Sequence, residues 1–172
     1  MVLASASPPC ETESTVSKTG TLAAAARQAD RVVISLGRFA HNGSYLLRKN
    51  SSLEDSRICV DTEKWIDGHH DPIDDWWHGD APDGKKEATQ RRIQAHPNFR
   101  KCIREIQVKV LMEPITVVKC DWGMHRSVGC LELALRDLDK MNSTQDLCIY
   151  LLHIDLDGAI EEDWQYLTKL VI

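Results

Sequence analysis

The octapeptide Cys120-Asp121-Trp122-Gly123-Met124-His125-Arg126-Ser127 brings a thiol, a glycine, an imidazole, a guanidinium and a hydroxyl together within one short stretch. Each suits the capture of an anion. Gly123 lets the backbone curl so that successive N–H groups converge, which a residue with a Cβ would hinder. Arg126 can fork two donors onto phosphate oxygens. Ser127 can cap a helix or donate to the anion, and His125 adds a donor that titrates near neutral pH. Cys120, set among such groups, is a candidate thiolate nucleophile.

For these groups to act together they must lie in one turn, and the flanking residues provide it. "ITVVKC" is the strongest strand in the chain, and "HRSVGCLELALRDLDK" is the strongest helix. "RVVISLG" reads as a buried strand ending at Gly37, "RICVD" as a short strand that delivers Asp61 at its C-terminal end, and "DLCIYLL" as a last strand. "NFRKCIREIQVKVLM" spaces Phe99, Cys102, Ile106 and Val110 by three and four, as one helix face requires, after a helical stretch that breaks before Pro97. "TLAAAARQAD" reads as a short helix and "EEDWQYLTKLVI" as a final one. The Asn42-Gly43 pair and the polar run from Lys49 to Ser56 mark "RFAHNGSYLLRKNSSLEDS" as a loop. "TEKWIDGHHDPIDDWWHGDAPDGKK" is expected to form one long irregular loop.

Strands separated by helices need crossover connections. The expected fold is therefore a three-layer α/β domain, a mostly parallel sheet flanked by helices. Such sheets bind ligands at the C-terminal ends of their strands, where helix N-termini face outward. The Cys120–Ser127 segment lies at such an end. Arg126 in a first helical turn opposes the helix dipole, so an anionic ligand is expected beside it.

Composition sets the wider limits. The 172 residues are 42% hydrophobic and 27% charged with a net charge of -5, which suits one globular domain over residues 21–172 behind a disordered tail at 1–20. The acidic balance disfavours a nucleic-acid surface spread over the whole domain. No apolar run approaches the ~20 residues of a membrane span. The first residues lack the basic start and apolar core of a secretory signal, so cytoplasm is the expected location. Six cysteines without a CxxC pair are expected to be mostly buried free thiols. The GxxxxGK[ST] phosphate loop of nucleoside triphosphatases does not occur, and no cofactor is indicated.

Two families share the local pattern. Cys120, five intervening residues, Arg126 and Ser127 match the loop of the protein tyrosine and dual-specificity phosphatases. That resemblance implies attack by the Cys120 thiolate on phosphorus, with Arg126 holding the equatorial oxygens. Asp80 and Asp83 in "WWHGDAPDG" would be the candidate acids, while Lys119 stands where the phosphatases usually have a histidine. The second resemblance covers more of the chain. "CDWGMHRSVGCLELALRDL" is similar to the CxxGxHRSV segment of the C-terminal domain of the RapZ family, bacterial RNase adapter proteins. "VVISLGRFAHNG", "ICVDTEKWIDGHHDP" and "CIYLLHIDL" resemble that family's other segments in the same order, from about Arg31 to Leu156. It implies binding of a phosphorylated small molecule of the sugar-phosphate class at Cys120–Ser127, with Asp61, His41 and His153 contributing. Glu63 and Ile154 replace family arginines, and "DLDGAIEEDW" replaces the basic tail. RNA, a partner of the bacterial family, is correspondingly disfavoured here.

"HHDPIDDWWH" collects histidines and aspartates, but without the spacing of ligands on rigid elements, so no metal is expected there. Trp65, Trp76 and Trp77 are expected to pin the long loop onto the sheet. Asp61 has two readings, a cap for the following turn or a group that binds a ligand's hydroxyl or amine.

Overall fold

The alternation of apolar β-branched runs with helical periodicity produces, among the described residues, four strands joined through helices. The computed structural model describes residues 29–66, 83–141 and 147–158. In chain order the main elements are β1 (Arg31–Gly37), α1 (His41–Lys49), β2 (Cys59–Asp61), α2 (Glu87–Ala95), α3 (Phe99–Met112), β3 (Ile115–Cys120), α4 (Arg126–Lys140) and β4 (Ile149–His153). The strands form one parallel sheet in the order β2-β3-β1-β4. The expected tail, most of the "TLAAAARQAD" helix, the final helix and residues 67–82 of the long loop lie outside the described residues.

Period-2 alternation divides the core in two. Val33, Val60 and Val118 pack beneath α2, α3 and α4, against Ile93, Ile106, Val110 and Leu131. Val32, Ile34, Leu36 and Val117 face the other way, against Leu46 of α1 and Leu53 of the 3-10 turn Ser51–Glu54. This is the expected three-layer arrangement. Burying one such aliphatic side chain contributes about 1.5–3 kcal/mol, so the two clusters carry much of the fold's stability.

The loop expected over "RFAHNGSYLLRKNSSLEDS" is instead α1 and the 3-10 turn. Asn42-Gly43 does not turn the chain. Gly43 lies inside the first turn of α1, where a Cβ would meet the Gly37 carbonyl oxygen at 2.2 Å. The glycine is required by close approach of helix to strand, and burial of Leu46 stabilises the helix against its polar composition.

Pro97 separates α2 from α3, as the sequence indicates. The far end of α3 is fastened by Arg31, which donates to the carbonyls of Val110 at 3.2 Å and Leu111 at 3.1 Å. A guanidinium there satisfies terminal carbonyls and complements the negative end of the helix dipole.

Strand order also determines where a site can form. β1 and β3 are neighbours, but β1 connects toward β2 at one edge while β3 connects toward β4 at the other. The two connections run in opposite directions on opposite faces of the sheet, α1 on one and α4 on the other, the arrangement at which open α/β sheets bind ligands beyond the strand ends.

Candidate functional site

The two loops at that divergence are held together. The N–H groups of Arg38 and Phe39 donate to the carbonyls of Cys120 and Asp121, both at 2.8 Å, extending the strand pairing past the sheet. A Cβ on Gly37 would meet the Trp122 carbonyl carbon at 2.3 Å, so the two backbones touch. Gly123 takes a left-handed φ of 70°, which L side chains rarely adopt, and a Cβ there would meet Gly37 N at 2.4 Å. The curled loop expected from Gly123 is present.

Inside the loop, Cys120 is buried at the end of β3. The Gly123 N–H donates to its Sγ at 3.1 Å, and its thiol lies 3.2 Å from Ser127 Oγ. Ser127 is fully buried at the start of α4. His125 occupies the N-cap position of α4 and is itself buried; its carbonyl accepts the Gly129 N–H at 2.8 Å. Trp122 and Met124 are exposed on the outer rim, where Trp122 meets Phe39 edge to face with ring centroids 6.2 Å apart.

Arg126 is 7% exposed in the first turn of α4 and faces an anion of the protein's own, where the sequence led to the expectation of an anionic ligand. That anion is Glu63. Arg126 Nη1 donates to Glu63 Oε2 at 2.5 Å and to the Ile66 carbonyl at 3.1 Å. The other oxygen, Glu63 Oε1, accepts the Asp121 N–H of the loop at 3.2 Å. Burial pushes the Glu63 carboxyl above its ordinary value of 4.5, with the Arg126 charge acting in the opposite direction. Glu63 is delivered by the 3-10 turn Thr62–Lys64, which Thr62 Oγ1 ties to the Lys119 carbonyl at 2.8 Å.

Asp61 fills the capping role, and its other partner is an arginine side chain. One oxygen caps the turn by accepting the Glu63 N–H at 3.2 Å. Both oxygens accept from Arg38 Nη2, at 2.9 and 3.0 Å. Arg38 Nε lies 3.1 Å from Asp121 Oδ1, so Arg38 joins the ends of β1, β2 and β3. A cavity of about 300 Å³ opens beside Asp61, with Glu54, Lys64, Trp65, Glu105 and Lys119 also in its wall. Trp65 anchors as expected, packing against the core while its indole N–H donates to Glu105.

His153 is fully buried and both ring nitrogens are engaged, Nδ1 with Ser35 Oγ at 2.7 Å and Nε2 with Glu132 Oε1 at 2.9 Å. These bonds couple the sheet to α4 and place the ring in the interior. His41 begins α1 and is exposed. Asp83 closes the turn before α2, where its Oδ1 accepts the Lys85 N–H at 2.8 Å. Its neighbour Gly84 donates its N–H to the Met124 carbonyl at 2.7 Å, which sets this turn against the candidate loop. Asp80 and the histidines of "HHDPIDDWWH" lie outside the described residues. Among the described residues, no group of three or more His, Cys, Asp or Glu side chains is arranged to hold a metal ion.

Arg38, Glu63 and Asp155 are absent from the residues singled out by motif. Each lies one or two positions beyond the C-terminal end of a strand, and that common placement was the available signal. Comparison with known protein families, curated proteins and solved structures finds no match to the chain. The resemblances to RapZ and to the phosphatases therefore rest on their motifs. No helix among the described residues is long and apolar enough to cross a membrane.

Proposed function

We propose that the Cys120–Ser127 loop binds the phosphate group of a phosphorylated small molecule. The observation that carries this reading is that the loop already clasps an anionic group, the Glu63 carboxylate, between a loop amide and Arg126. A phosphate offers more charge and more acceptor oxygens to the same donors. In this reading Asp61, held by Arg38, would orient the organic part of the ligand. The RapZ resemblance adds the sugar-phosphate class. Inorganic phosphate titrated calorimetrically should bind the parent protein at least tenfold more tightly than Arg126→Ala, which lacks the charge-assisted bonds, each worth about 1.5–3 kcal/mol. Equal affinities would rule the assignment out.

The Gly123 N–H, which donates to Cys120 Sγ, favours a second reading, a cysteine-dependent phosphatase. Hydrogen-bond donors aimed at sulfur stabilise a thiolate. In that chemistry sulfur bonds to phosphorus as the ester P–O bond breaks, the leaving oxygen takes a proton from a carboxylic acid, for which Asp80 and Asp83 are the candidates, and water then cleaves the S–P bond to release phosphate and the thiol. Turnover of an activated aryl phosphate by the parent and none by Cys120→Ser, with phosphate binding retained, is the expected signature. No turnover by the parent leaves the binding module as the function.

A further inference from the structure

Glu63 makes the contacts with which a bound anion would be held. Its two oxygens divide between a backbone amide of the loop, Asp121 N–H, and the guanidinium of Arg126. It is an internal occupant of the site.

We propose that Glu63 is the resident anion of the Cys120–Ser127 loop and must be displaced by any ligand, so that the site admits phosphomonoester dianions and rejects singly charged phosphodiesters and carboxylates. This rests on the reading of the loop as a phosphate site.

Three features support displacement. First, Glu63 stands in a single 3-10 turn, Thr62–Lys64, so its side chain can swing away without unfolding an α-helix. Second, its carboxylate has lost water to burial, and the Arg126 charge does not fully offset that loss. Third, a ligand anion would add to the negative charge already at Arg126, which faces both Glu63 and Asp121, and so would repel Glu63 strongly at this range. Arg38 offers no alternative partner, being engaged by Asp61 and Asp121, and the second carboxylate oxygen of Asp121 lies 3.9 Å from Arg126 Nη2.

Selectivity follows from charge. A carboxylate or a phosphodiester carries a single negative charge, which only matches the group it would expel. A phosphomonoester carries close to two at neutral pH and a third acceptor oxygen, and so outcompetes Glu63. The glutamate acts as a threshold that weaker anions do not cross.

The test titrates inorganic phosphate and dimethyl phosphate into the parent, Glu63→Gln and Arg126→Ala at about pH 7.5, where a phosphomonoester is mainly dianionic. The parent should bind phosphate and give no signal with dimethyl phosphate. Glu63→Gln, with the same shape and no charge, should bind phosphate at least tenfold more tightly and bind dimethyl phosphate measurably, so that selectivity between them falls. Should Glu63→Gln fail to fold, Glu63→Asp decides instead: its shorter reach weakens the internal contact and should also raise phosphate affinity. Phosphate affinity unchanged or lowered in the Glu63 variant, but lost in Arg126→Ala, overturns the proposal and makes Glu63 a support for Arg126. Absence of phosphate binding in the parent and the Glu63 variant alike overturns the loop reading itself, and this inference with it.

Discussion

Asp155 shows how one side chain can serve several elements. It follows β4, yet its Oδ2 accepts the Gly37 N–H at 2.7 Å and its Oδ1 accepts the Gly43 N–H at 2.9 Å. The N-cap residue of α1, Ala40, supplies no side-chain bond, so Asp155 caps that helix from a distant part of the chain. A Cβ on Gly123 would meet Asp155 Oδ2 at 2.3 Å, so the same carboxylate also limits what the candidate loop can hold. Burial raises its pKa above 3.8 although backbone N–H groups and His41 oppose that shift. Asp155→Asn retains the shape but keeps only one oxygen and turns an NH₂ toward an N–H donor. It should lose about 1–3 kcal/mol of stability, read as a lower urea midpoint with an unchanged slope. A variant as stable as the parent would refute the capping role. The "HIDL" segment resembles a known family pattern, but nothing local to it shows that its aspartate reaches the start of α1.

The first helix carries the clearest lesson about elements. In an exposed helix Gly→Ala gains about 1 kcal/mol, because alanine loses less backbone freedom. In α1 the sign should reverse. The methyl of Gly43→Ala would enter the space of the Gly37 carbonyl and amide, 2.2 and 2.7 Å from an ideal Cβ. Overpacking of this kind costs about 1–3 kcal/mol, and the displaced Gly37 would disturb Trp122 and Gly123, which it touches. The expected outcome is a lower thermal midpoint together with weaker phosphate binding; a raised midpoint would show that α1 is not pressed against β1. Asn42-Gly43 suggested a turn because local preference cannot distinguish a glycine needed for its φ from one needed for its missing Cβ. β3 and α4 were legible, since an unbroken β-branched run and a sustained three-four period each admit one reading.

Buried acids couple the whole molecule to pH. Glu63 holds its proton more tightly in the folded chain than in the unfolded one, so its contribution to stability is fully present below 4.5 and is lost as pH rises through the folded-state value. Glu63→Gln does not titrate. Its thermal midpoint minus that of the parent should therefore grow as pH rises from 4.5 toward neutrality, and a constant difference would argue against a buried carboxylate. Asp55 behaves oppositely, held at about 2 by Arg57, but Arg57 is exposed and solvent screens the pair. The layered α/β architecture, the parallel sheet and the strand-end position of Cys120–Ser127 were all readable from the chain, because periodicity and strand-helix alternation are local patterns that constrain topology. Which groups meet there was not readable. Arg38, Asp61, Glu63, Asp121 and Arg126 come from three strand ends and a helix start, and strand order rather than sequence distance makes them neighbours. The helix dipole pointed to an anionic ligand beside Arg126, not to a side chain of the same protein. That a glutamate sixty-three residues earlier in the chain takes this place follows from β2 pairing with β3, which sets Asp61 opposite Lys119 and carries the next turn over the loop.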